Sequence, residues 1–349
     1  MIDEFTARGF GCLTDVTVRL TPLHAFIGPN DSGKSTLLEA IRLVAAIGSR
    51  PPNHRSLIAL LSQRCAATSE LAVKSGAENY RLERPEDGRW LEHFLDWSQF
   101  VEGTQPLLFE DTHGQFESLS TALSSLRMVR LRPEKLRDAT PLRIEGEPFF
   151  FLDEQGSGLA SVLHEIRDRS EDAWRSLLDE TRRLFPNVRR LQLQVREMQV
   201  GRGMTVAAEM LDGTRVPVEH LSEGFLYFLA FAALRHLDPP SLLLIEEPEN
   251  GLHPARIREV VRVLRDLSRS GTQVLLTTHS PLLLNELQAD EITVLTRPPG
   301  GTRATRLSEV PRYRERAEND DLLPGEFWVN YCDGELEAPL LEPVDETSP

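Results

Sequence analysis

The sequence predicts an α/β fold in which a mixed β-sheet carries a phosphate-binding loop. Three observations favour this fold. A glycine-rich loop at residues 28–35 stands between a short apolar segment and a segment of helical pattern. Two apolar runs, residues 242–245 and 274–278, are typical of strands that are covered on both faces of a parallel sheet. Alternation of polar and apolar residues over 15–20 predicts an antiparallel part as well.

The glycine-rich loop matches the pattern G-x-x-x-x-G-K-[ST] without a mismatch. Residues 24–27 predict a buried strand before it, and residues 36–44 predict a helix after it, so a chance glycine turn is disfavoured. In such a loop the backbone N–H groups and the helix N-terminus face a polyphosphate. Lys34 would reach the β- and γ-phosphates, and Ser35 would bind Mg²⁺. The predicted ATP-binding residues are Gly28, Pro29, Asn30, Asp31, Ser32, Gly33, Lys34, Ser35 and Thr36.

Length and composition describe a globular chain. Its 349 residues predict one large domain or two closely packed ones. With 40% hydrophobic and 27% charged residues, the chain can build a substantial core. The formal net charge of −15 excludes a general electrostatic attraction to nucleic acid or to an anionic membrane. Any contact with DNA would therefore need a local basic patch.

Cysteine usage and hydropathy favour a cytoplasmic protein. Cys12, Cys65 and Cys332 are far apart and lack metal-ligand spacing, which suits a reducing cytosol better than a disulfide framework. The N-terminus shows no basic-then-apolar signal sequence. No apolar run approaches the roughly 20 residues of a membrane span. If the chain drives transport, we expect the membrane part on another chain.

Further elements are predicted from periodicity and from turn residues. An antiparallel pair is expected at residues 71–73 and 80–82, around Gly76, and residues 85–127 are expected to form loops or a family-specific insertion. The other predicted elements are helices at residues 158–185, 225–237 and 257–267, β segments over 189–218 with a turn at Asp212-Gly213, and a hairpin of residues 292–295 and 304–307.

Two acids directly follow the apolar run at residues 242–245. Glu246 and Glu247 would stand at the carboxyl end of a central parallel strand, where ligands bind in open α/β sheets. Glu246 is expected to hold Mg²⁺ through water, and Glu247 to orient and polarise the attacking water. Alone, such a pair is often only a solvated strand end. The glycine-rich loop upstream favours the catalytic interpretation.

Two short motifs each have an ordinary and a functional interpretation. Leu221, Ser222, Glu223 and Gly224 precede an apolar helix, for which Ser222 is a good N-cap. In the functional interpretation this helix N-terminus offers free N–H groups to a phosphate. His279 ends the strand that follows the acids. It is either an ordinary core histidine or a group that hydrogen-bonds the terminal phosphate and the attacking water.

The order of these motifs resembles that of ABC-class ATPases. The glycine-rich loop, L-S-E-G, a strand with two acids and a strand that ends in histidine follow one another with suitable gaps. The segment E-P-E-N-G-L-H-P at residues 247–254 resembles the E-P-E-x-x-L-H-P loop of the RecF/SMC/OLD-like branch. Transporter motors usually show D-E-P-T-x-x-L-D instead. Gly9-Phe10 and residues 323–328 also resemble short bacterial AAA-family ATPases.

The resemblance implies an ABC-type ATPase head with a mixed sheet, an antiparallel β part and a helical subdomain that carries the L-S-E-G signature. We expect a single head over residues 1–334. We expect the nucleotide-binding core at residues 1–48 and about 219–310, and an inserted β/helical region at about 49–218. Residues 335–349 are expected to form a flexible acidic tail.

The resemblance also implies cofactors, site residues and an assembly. ATP and Mg²⁺ are the expected cofactors, with Ser35 and Glu246 as metal ligands. Glu247 and His279 are the expected catalytic residues. Because the signature of this family completes the ATP site of the opposite subunit, Leu221, Ser222, Glu223 and Gly224 would act in trans. We therefore expect a homodimer or a higher even oligomer.

The sequence departs from the family pattern at three points. Glu246 replaces the commoner Asp, which keeps the charge but lengthens the side chain. Gly11 stands where relatives often place a basic residue near the nucleotide, so either Arg8 substitutes for it or the contact is absent. The glutamine of the family's Q-loop is not identifiable, and the candidates are Gln63, Gln99, Gln105 and Gln115.

The function stays open between three interpretations. The first is an ATP-hydrolysing switch that drives a DNA-directed process, such as repair, genome maintenance or phage defence, beside a nuclease or toxin partner. The second is a nucleotide-gated scaffold with negligible turnover. The third, a transporter subunit, is disfavoured by the segment at residues 247–254. The chain lacks the long coiled coil of SMC proteins, and it ends too soon after His279 for a Toprim domain, so no nuclease chemistry is expected.

Two basic runs could contact a phosphate backbone. The alternative is that each is the solvated face of an acidic protein. The runs are Arg127, Arg130, Arg132, Lys135 and Arg137, and Arg182, Arg183, Arg189, Arg190 and Arg196.

Overall fold

A computed structural model describes most of the chain as two compact units. The described residues are 1–48, 54–94, 97–100, 117–141, 149–197, 202–320 and 322–331. The first unit comprises residues 1–127, 240–247 and 272–349, and the second comprises residues 128–239 and 248–271. The acidic tail, Cys332 and two Q-loop candidates, Gln105 and Gln115, lie outside the described residues.

The described residues form runs of strands and runs of helices. The strands are β1 (Glu4–Phe10), β2 (Leu13–Arg19), β3 (Leu23–Ile27), β4 (Cys65–Ser75), β5 (Glu78–Arg84), β6 (Leu91–Phe94), β7 (Trp97–Phe100), β8 (Leu126–Val129), β9 (Val188–Glu197), β10 (Arg202–Met210), β11 (Arg215–Pro217), β12 (Leu242–Glu246), β13 (Gln273–Thr278), β14 (Ile292–Thr296) and β15 (Arg303–Arg306). The helices are α1 (Lys34–Gly48), α2 (His54–Arg64), α3 (Glu117–Leu123), α4 (Pro133–Arg137), α5 (Leu159–Arg169), α6 (Glu171–Leu184), α7 (Glu223–Ala233), α8 (Pro254–Arg269), α9 (Pro281–Leu284), α10 (Pro311–Asp320) and α11 (Pro324–Tyr331).

A mixed sheet with the order β15-β14-β3-β13-β12-β8 carries the glycine-rich loop. Strands β14, β3, β13 and β12 run parallel, and β15 pairs antiparallel with β14. Every residue of β3, β13 and β14 is buried, which explains why these segments are apolar runs without alternation. The buried strands and the β14–β15 hairpin predicted from the sequence are thus confirmed.

The pairing register brings three strand ends to one edge of this sheet. Thr278 of β13 pairs with Ile27 of β3. Thr277 of β13 pairs with Glu246 of β12. Each of the three functional segments therefore follows the last residue of a strand: the glycine-rich loop, Glu247 and His279. They lie at the carboxyl edge of the sheet, where ligands bind in such folds.

An antiparallel sheet with the order β2-β1-β4-β5-β6-β7 forms the other sheet of the first unit. Leu71 pairs with Leu82 and Val73 with Tyr80, so the antiparallel pair predicted around Gly76 is confirmed. β6, β7 and α3 lie within residues 85–127, where the sequence predicts loops or a family-specific insertion, so this stretch contains regular elements. β6 and β7 are four residues long, too short for alternation to show, and β6 is ordered by pairing with β5.

The second unit is built around the apolar helix α7. All its residues from Phe225 to Ala233 are buried, and α4, α5, α6 and α8 pack against it. The predicted helix at residues 158–185 is two helices, because Ser170 ends α5 and also caps α6 by accepting a hydrogen bond from the N–H of Ala173. The predicted turn at Gly213 is confirmed by its φ of 86° and by the pairing of β10 with β11.

An ion-pair network holds the helices around α7 together. Glu180 of α6 has a side chain that is only 10% exposed and accepts hydrogen bonds from Arg235 at 2.8 Å and Arg262 at 2.7 Å. Glu259 of α8 pairs with Arg183 of α6 at 2.6 Å. Arg262 and Glu259 therefore connect α8 to α6, and charge-assisted bonds at low exposure are stronger than surface pairs.

A buried histidine supports the strand that leads into the glycine-rich loop. His24 of β3 is fully buried, with Nδ1 3.0 Å from Thr21 Oγ1 and Nε2 2.8 Å from Thr293 Oγ1. The Thr21 hydroxyl donates to the carbonyl of Leu23, so it accepts from Nδ1–H, and Nε2 accepts from Thr293. Burial, and secondarily the charge of Arg306, lowers the pKa of His24 to about 3. The imidazole is therefore neutral in the folded protein.

His24 should make folding stability depend on pH below its ordinary pKa of 6.5. The unfolded chain binds a proton at His24 there, whereas the folded chain does not bind it until about pH 3. Stability is therefore lost as pH falls, by about 2 kcal/mol between pH 6.5 and pH 5. His24→Gln should remove this part of the loss, as measured by denaturant unfolding at both values.

The matched control is His220→Gln, which makes the same exchange at an exposed position. It should leave the pH dependence of unfolding as in the wild type. An unchanged dependence in His24→Gln would contradict the buried, neutral assignment.

Candidate functional site

Lys34 lies inside the glycine-rich loop rather than in solvent. Its side chain is buried, and Nζ donates hydrogen bonds to the carbonyls of Gly28 at 2.8 Å and Pro29 at 2.7 Å. The N–H of Leu37 bonds to the carbonyl of Gly33, so α1 begins immediately after the loop. The loop thus curls around an ammonium group at a helix N-terminus, the arrangement that binds phosphate oxygens.

Two glycines of the loop cannot be replaced by larger residues. A Cβ on Gly28 would lie 2.1 Å from the carbonyl oxygen of Leu295. Gly33 has a φ of 102°, and a Cβ there would lie 2.8 Å from Thr302 Oγ1. The glycines of the motif are therefore required by close backbone packing as well as by the approach of a ligand.

The turn between β14 and β15 braces the glycine-rich loop, a contact that no local sequence pattern predicts. Thr302 Oγ1 donates to the carbonyl of Ser32 at 3.0 Å. Arg297 donates to the carbonyl of Asp31 at 3.3 Å. Asp31 has a left-handed φ of 63°, which a non-glycine residue adopts only when its surroundings enforce it. The brace holds the loop in this conformation.

The loop fits a nucleotide polyphosphate. Ser32 Oγ is buried and has no hydrogen-bond partner among the described residues, which leaves a donor for an anionic oxygen. Ser35, the predicted Mg²⁺ ligand, is exposed in the first turn of α1. Lys34 supplies the positive charge. The residues present therefore suit ATP, with Mg²⁺ neutralising its phosphates when bound.

The second acid of the pair has a strained backbone. Glu247 has a φ of 46°, in the left-handed region, and its N–H donates to the carbonyl of Thr277 at 2.9 Å. Such a conformation in a non-glycine residue is concentrated at functional sites. Glu246, one residue earlier, still belongs to β12 and pairs with Thr277. Glu246 is thus the last residue of β12, whereas Glu247 lies beyond the end of this strand.

His279 faces Glu247 across the edge of the sheet. Nε2 of His279 lies 3.6 Å from the nearer carboxylate oxygen of Glu247. Burial, and after it the charge of Lys34, lowers the pKa of His279, while Glu247 acts in the opposite direction. The imidazole is therefore neutral near pH 7 and can both donate and accept a hydrogen bond. The structure thus brings together Lys34, Glu247 and His279, three of the predicted site residues.

The signature motif lies in the second unit, at the N-terminus of α7. Ser222 caps this helix by accepting from the N–H of Phe225 at 3.3 Å, so its ordinary interpretation is confirmed. Ser222 and Glu223 are exposed, and Leu221 is buried. A Cβ on Gly224 would lie 3.0 Å from the carbonyl oxygen of Gly251. The role of the signature in trans stays a prediction.

Arg8 is bonded to carboxylates, so it does not supply the basic contact with the nucleotide that the sequence analysis left open. It bonds to Asp15 and to Glu70, each at 2.9 Å. Gly11 does approach the loop, because a Cβ there would lie 2.9 Å from the Cγ2 of Thr36. The turn after β1 therefore reaches the loop, whereas Arg8 is held by two carboxylates on the antiparallel sheet. Of the two alternatives, the structure favours the one in which this basic contact is absent.

Ion pairs with carboxylates engage basic residues in both basic runs, most of them in the second. In the first run, Lys135 pairs with Asp138 at 3.2 Å. In the second run, the arginines pair with acids of the same unit, which favours solvated faces over a phosphate-binding patch. These pairs are Arg183–Glu259, Arg189–Glu209, Arg190–Glu209 and Arg196–Glu219.

Comparisons with known proteins agree with this fold. The chain matches the family model "AAA domain, putative AbiEii toxin, Type IV TA system" over residues 23–285. It is 23% identical over 333 residues to the OLD nuclease of Thermus scotoductus, in an alignment that covers 81% of this chain and 59% of that protein. It superposes on the SMC head bound to the C-winged helix domain of ScpA with a TM-score of 0.58 at 16% identity, covering 87% of this chain and 96% of that chain. The predicted fold class, an ABC-type ATPase head of the RecF/SMC/OLD-like branch, is confirmed.

Matches to transporter ATPases are short. The chain is 43% identical over 75 residues to the ABC transporter ATP-binding/permease protein Rv1747 of Mycobacterium tuberculosis, which is 22% of this chain and 8% of that protein. The chain thus spans less than two thirds of the length of these curated relatives. In the part of the chain that the structure describes, no helix is long and apolar enough to cross a membrane.

Lys34→Ala should weaken ATP binding by about 10- to 100-fold, because it removes the charge-assisted bonds of the loop to phosphate. Titration with a fluorescent ATP analogue measures this loss. Lys74→Ala, an exposed lysine on β4, is the matched control and should bind as the wild type does. Unchanged affinity in Lys34→Ala would remove the loop from the site.

Proposed function

This chain belongs to the family of AAA domains described as "AAA domain, putative AbiEii toxin, Type IV TA system", and on that premise we propose that it binds and hydrolyses ATP as a dimeric molecular switch. The observation that carries the proposal is the shared sheet edge. There a buried lysine, a strained carboxylate and a neutral histidine belong to one constellation. Such a set of charge, base and hydrogen-bond donor is what phosphoryl transfer to water requires.

Each residue of this edge has a distinct task in the proposed reaction. Glu247 orients the attacking water and accepts its proton, because its carboxylate lies beyond the strand end. His279, neutral at pH 7, holds the terminal phosphate oxygens by hydrogen bonds. Lys34 stabilises the charge that develops on the phosphates. Ser35 and Glu246 would hold Mg²⁺, which supplies further charge neutralisation when bound.

The proposed switch is a dimer in which the signature of one copy serves the loop of the other. The exposed Ser222 and the first turn of α7 offer N–H groups and the positive end of a helix dipole, as the loop itself does. A two-fold dimer would use this surface twice. ATP would then favour the dimer, because it binds the closed pair better than separate chains.

We further propose which cellular process this ATPase drives. Similarity to an OLD nuclease and membership in a family described as "AAA domain, putative AbiEii toxin, Type IV TA system" support a role in repair, genome maintenance or anti-phage defence. The SMC head that this chain resembles binds ScpA, which supports a partner protein here, such as a nuclease or a toxin. We propose a cytoplasmic location. DNA contact has weaker support, because arginines of the second basic run are paired with acids.

A mixing experiment tests the composite site. Lys34→Ala lacks a working loop, and Ser222→Arg lacks a working signature, so each variant alone should be nearly inactive. A heterodimer of the two has one site with an intact loop and an intact signature. ATPase activity should therefore recover in part on mixing. The measurement is steady-state phosphate release against the fraction of each variant.

Mixing Lys34→Ala with Glu247→Gln is the matched control, because both changes damage the same half of the site. In their heterodimer neither site is complete, so no activity should return. Absence of recovery in the first mixture would contradict the composite site.

A further inference from the structure

Arg137 binds the backbone of the signature motif. It is the last residue of α4, and its Nη2 donates to the carbonyl of Leu221 at 3.2 Å. Its Nε is buried and has no hydrogen-bond partner among the described residues. Within that part of the chain, no carboxylate forms an ion pair with Arg137, unlike most arginines of this unit. A half-buried guanidinium without a neutralising acid is costly unless something else uses its charge.

The charge of Arg137 lies beside another positive group. Leu221 directly precedes Ser222, the N-cap of α7, where the helix dipole is positive. A cation near a helix N-terminus is unfavourable, and an anion there is favourable. Glu223 supplies one carboxylate in this first turn, and the helix dipole together with Arg137 favours negative charge there.

The segment that contains Arg137 is connected to the signature helix at a second point. The hydroxyl of Tyr227, on α7, donates to the carbonyl of Leu131 at 3.2 Å. The Tyr227 ring also lies against Gly251, where a Cβ would come within 2.4 Å of it. Burial chiefly raises the pKa of Tyr227, the charges of Glu223 and Glu134 add to the rise, and the charges of Arg132 and Arg137 oppose it. Hydrogen bonds from Tyr227 and Arg137 thus connect residues 131–137 to α7 and to Leu221 before it.

We propose that Arg137 is a positioning residue for the ATP of a second copy of this chain. It fixes the carbonyl of Leu221, and with it the N–H groups that follow, and it adds positive charge behind them. The anion that this end of α7 is prepared for is the terminal phosphate of ATP held by the loop of the other copy. This inference rests on the proposed dimer.

Kinetics separate this role from a merely structural one. Arg137→Ala should raise the KM for ATP by about tenfold and lower kcat less, because it removes one charge-assisted bond and a nearby charge. Arg137→Lys should restore part of the KM, because it keeps the charge. Lys135→Ala is the matched control, since Lys135 lies on the same helix but pairs with Asp138 at the surface. If Arg137→Ala leaves KM unchanged, or Arg137→Lys fails to rescue it, the inference is wrong.

A mixture of Arg137→Ala with Lys34→Ala tests whether Arg137 acts in trans. Their heterodimer has one site with the intact loop of one chain and the intact Arg137 of the other. At an ATP concentration where each variant alone is nearly inactive, phosphate release should recover on mixing. Arg137→Gln gives a second variant if Arg137→Ala fails to fold, as judged by its thermal unfolding.

The outcomes distinguish this inference from the proposed function. If Lys34→Ala recovers with Ser222→Arg but not with Arg137→Ala, the dimer stands and the role of Arg137 in trans is overturned. If neither mixture recovers, the composite site fails, and this inference fails with it. Recovery in both mixtures supports both.

Discussion

The hydrogen-bond register of β3, β13 and β12 is the constraint on which the site depends. Ile27 pairs with Thr278, and Glu246 pairs with Thr277, so the chain segments that follow start at the same level of the sheet. Because side chains alternate along a strand, a slip by one residue would turn Glu246 or Thr278 to the opposite face. Close packing of the buried side chains of β3 and β13 opposes such a slip. The core of the first unit and the geometry of the site are therefore set by the same contacts.

Two residues at the carboxyl edge of the mixed sheet have strained backbone conformations. Asp31 and Glu247 both adopt left-handed backbone conformations, which cost about 1–3 kcal/mol each. Hydrogen bonds compensate for the strain: Arg297 binds the carbonyl of Asp31, and the N–H of Glu247 binds Thr277. The neutral His24 supports β3 from within the core. The loop and the acid are thus preorganised by the protein itself, before a nucleotide is needed.

Much of the fold was predictable, because its signals are local. The loop motif, the buried apolar runs and the turn at Gly213 each lie within a short stretch of sequence. Motif order identifies Lys34, Glu247 and His279 as candidate site residues. Their proximity follows from parallel strands sharing one edge.

The features that the sequence did not predict depend on contacts between residues that are far apart in the chain. Thr302 and Ser32 are 270 positions apart, and Arg137 and Leu221 are 84 apart, so no pattern in a single sequence connects them. β6 became a strand by pairing with β5, not by its own alternation. Arg8 looked available as a nucleotide contact, yet Glu70 on β4 engages it across the sheet. Tertiary contacts decided each of these cases.

In the proposed mechanism, Glu247 performs chemistry at a site that also binds ATP without it. The most direct measurement is single-turnover hydrolysis by Glu247→Gln, with ATP binding measured on the same preparation. We expect unchanged affinity for ATP and hydrolysis slowed by about 100-fold or more, because the general base is lost while the loop remains. Hydrolysis at the wild-type rate by Glu247→Gln would exclude this role of Glu247. Equally negligible hydrolysis by the wild type and the variant, with ATP still bound, would identify a nucleotide-gated scaffold instead.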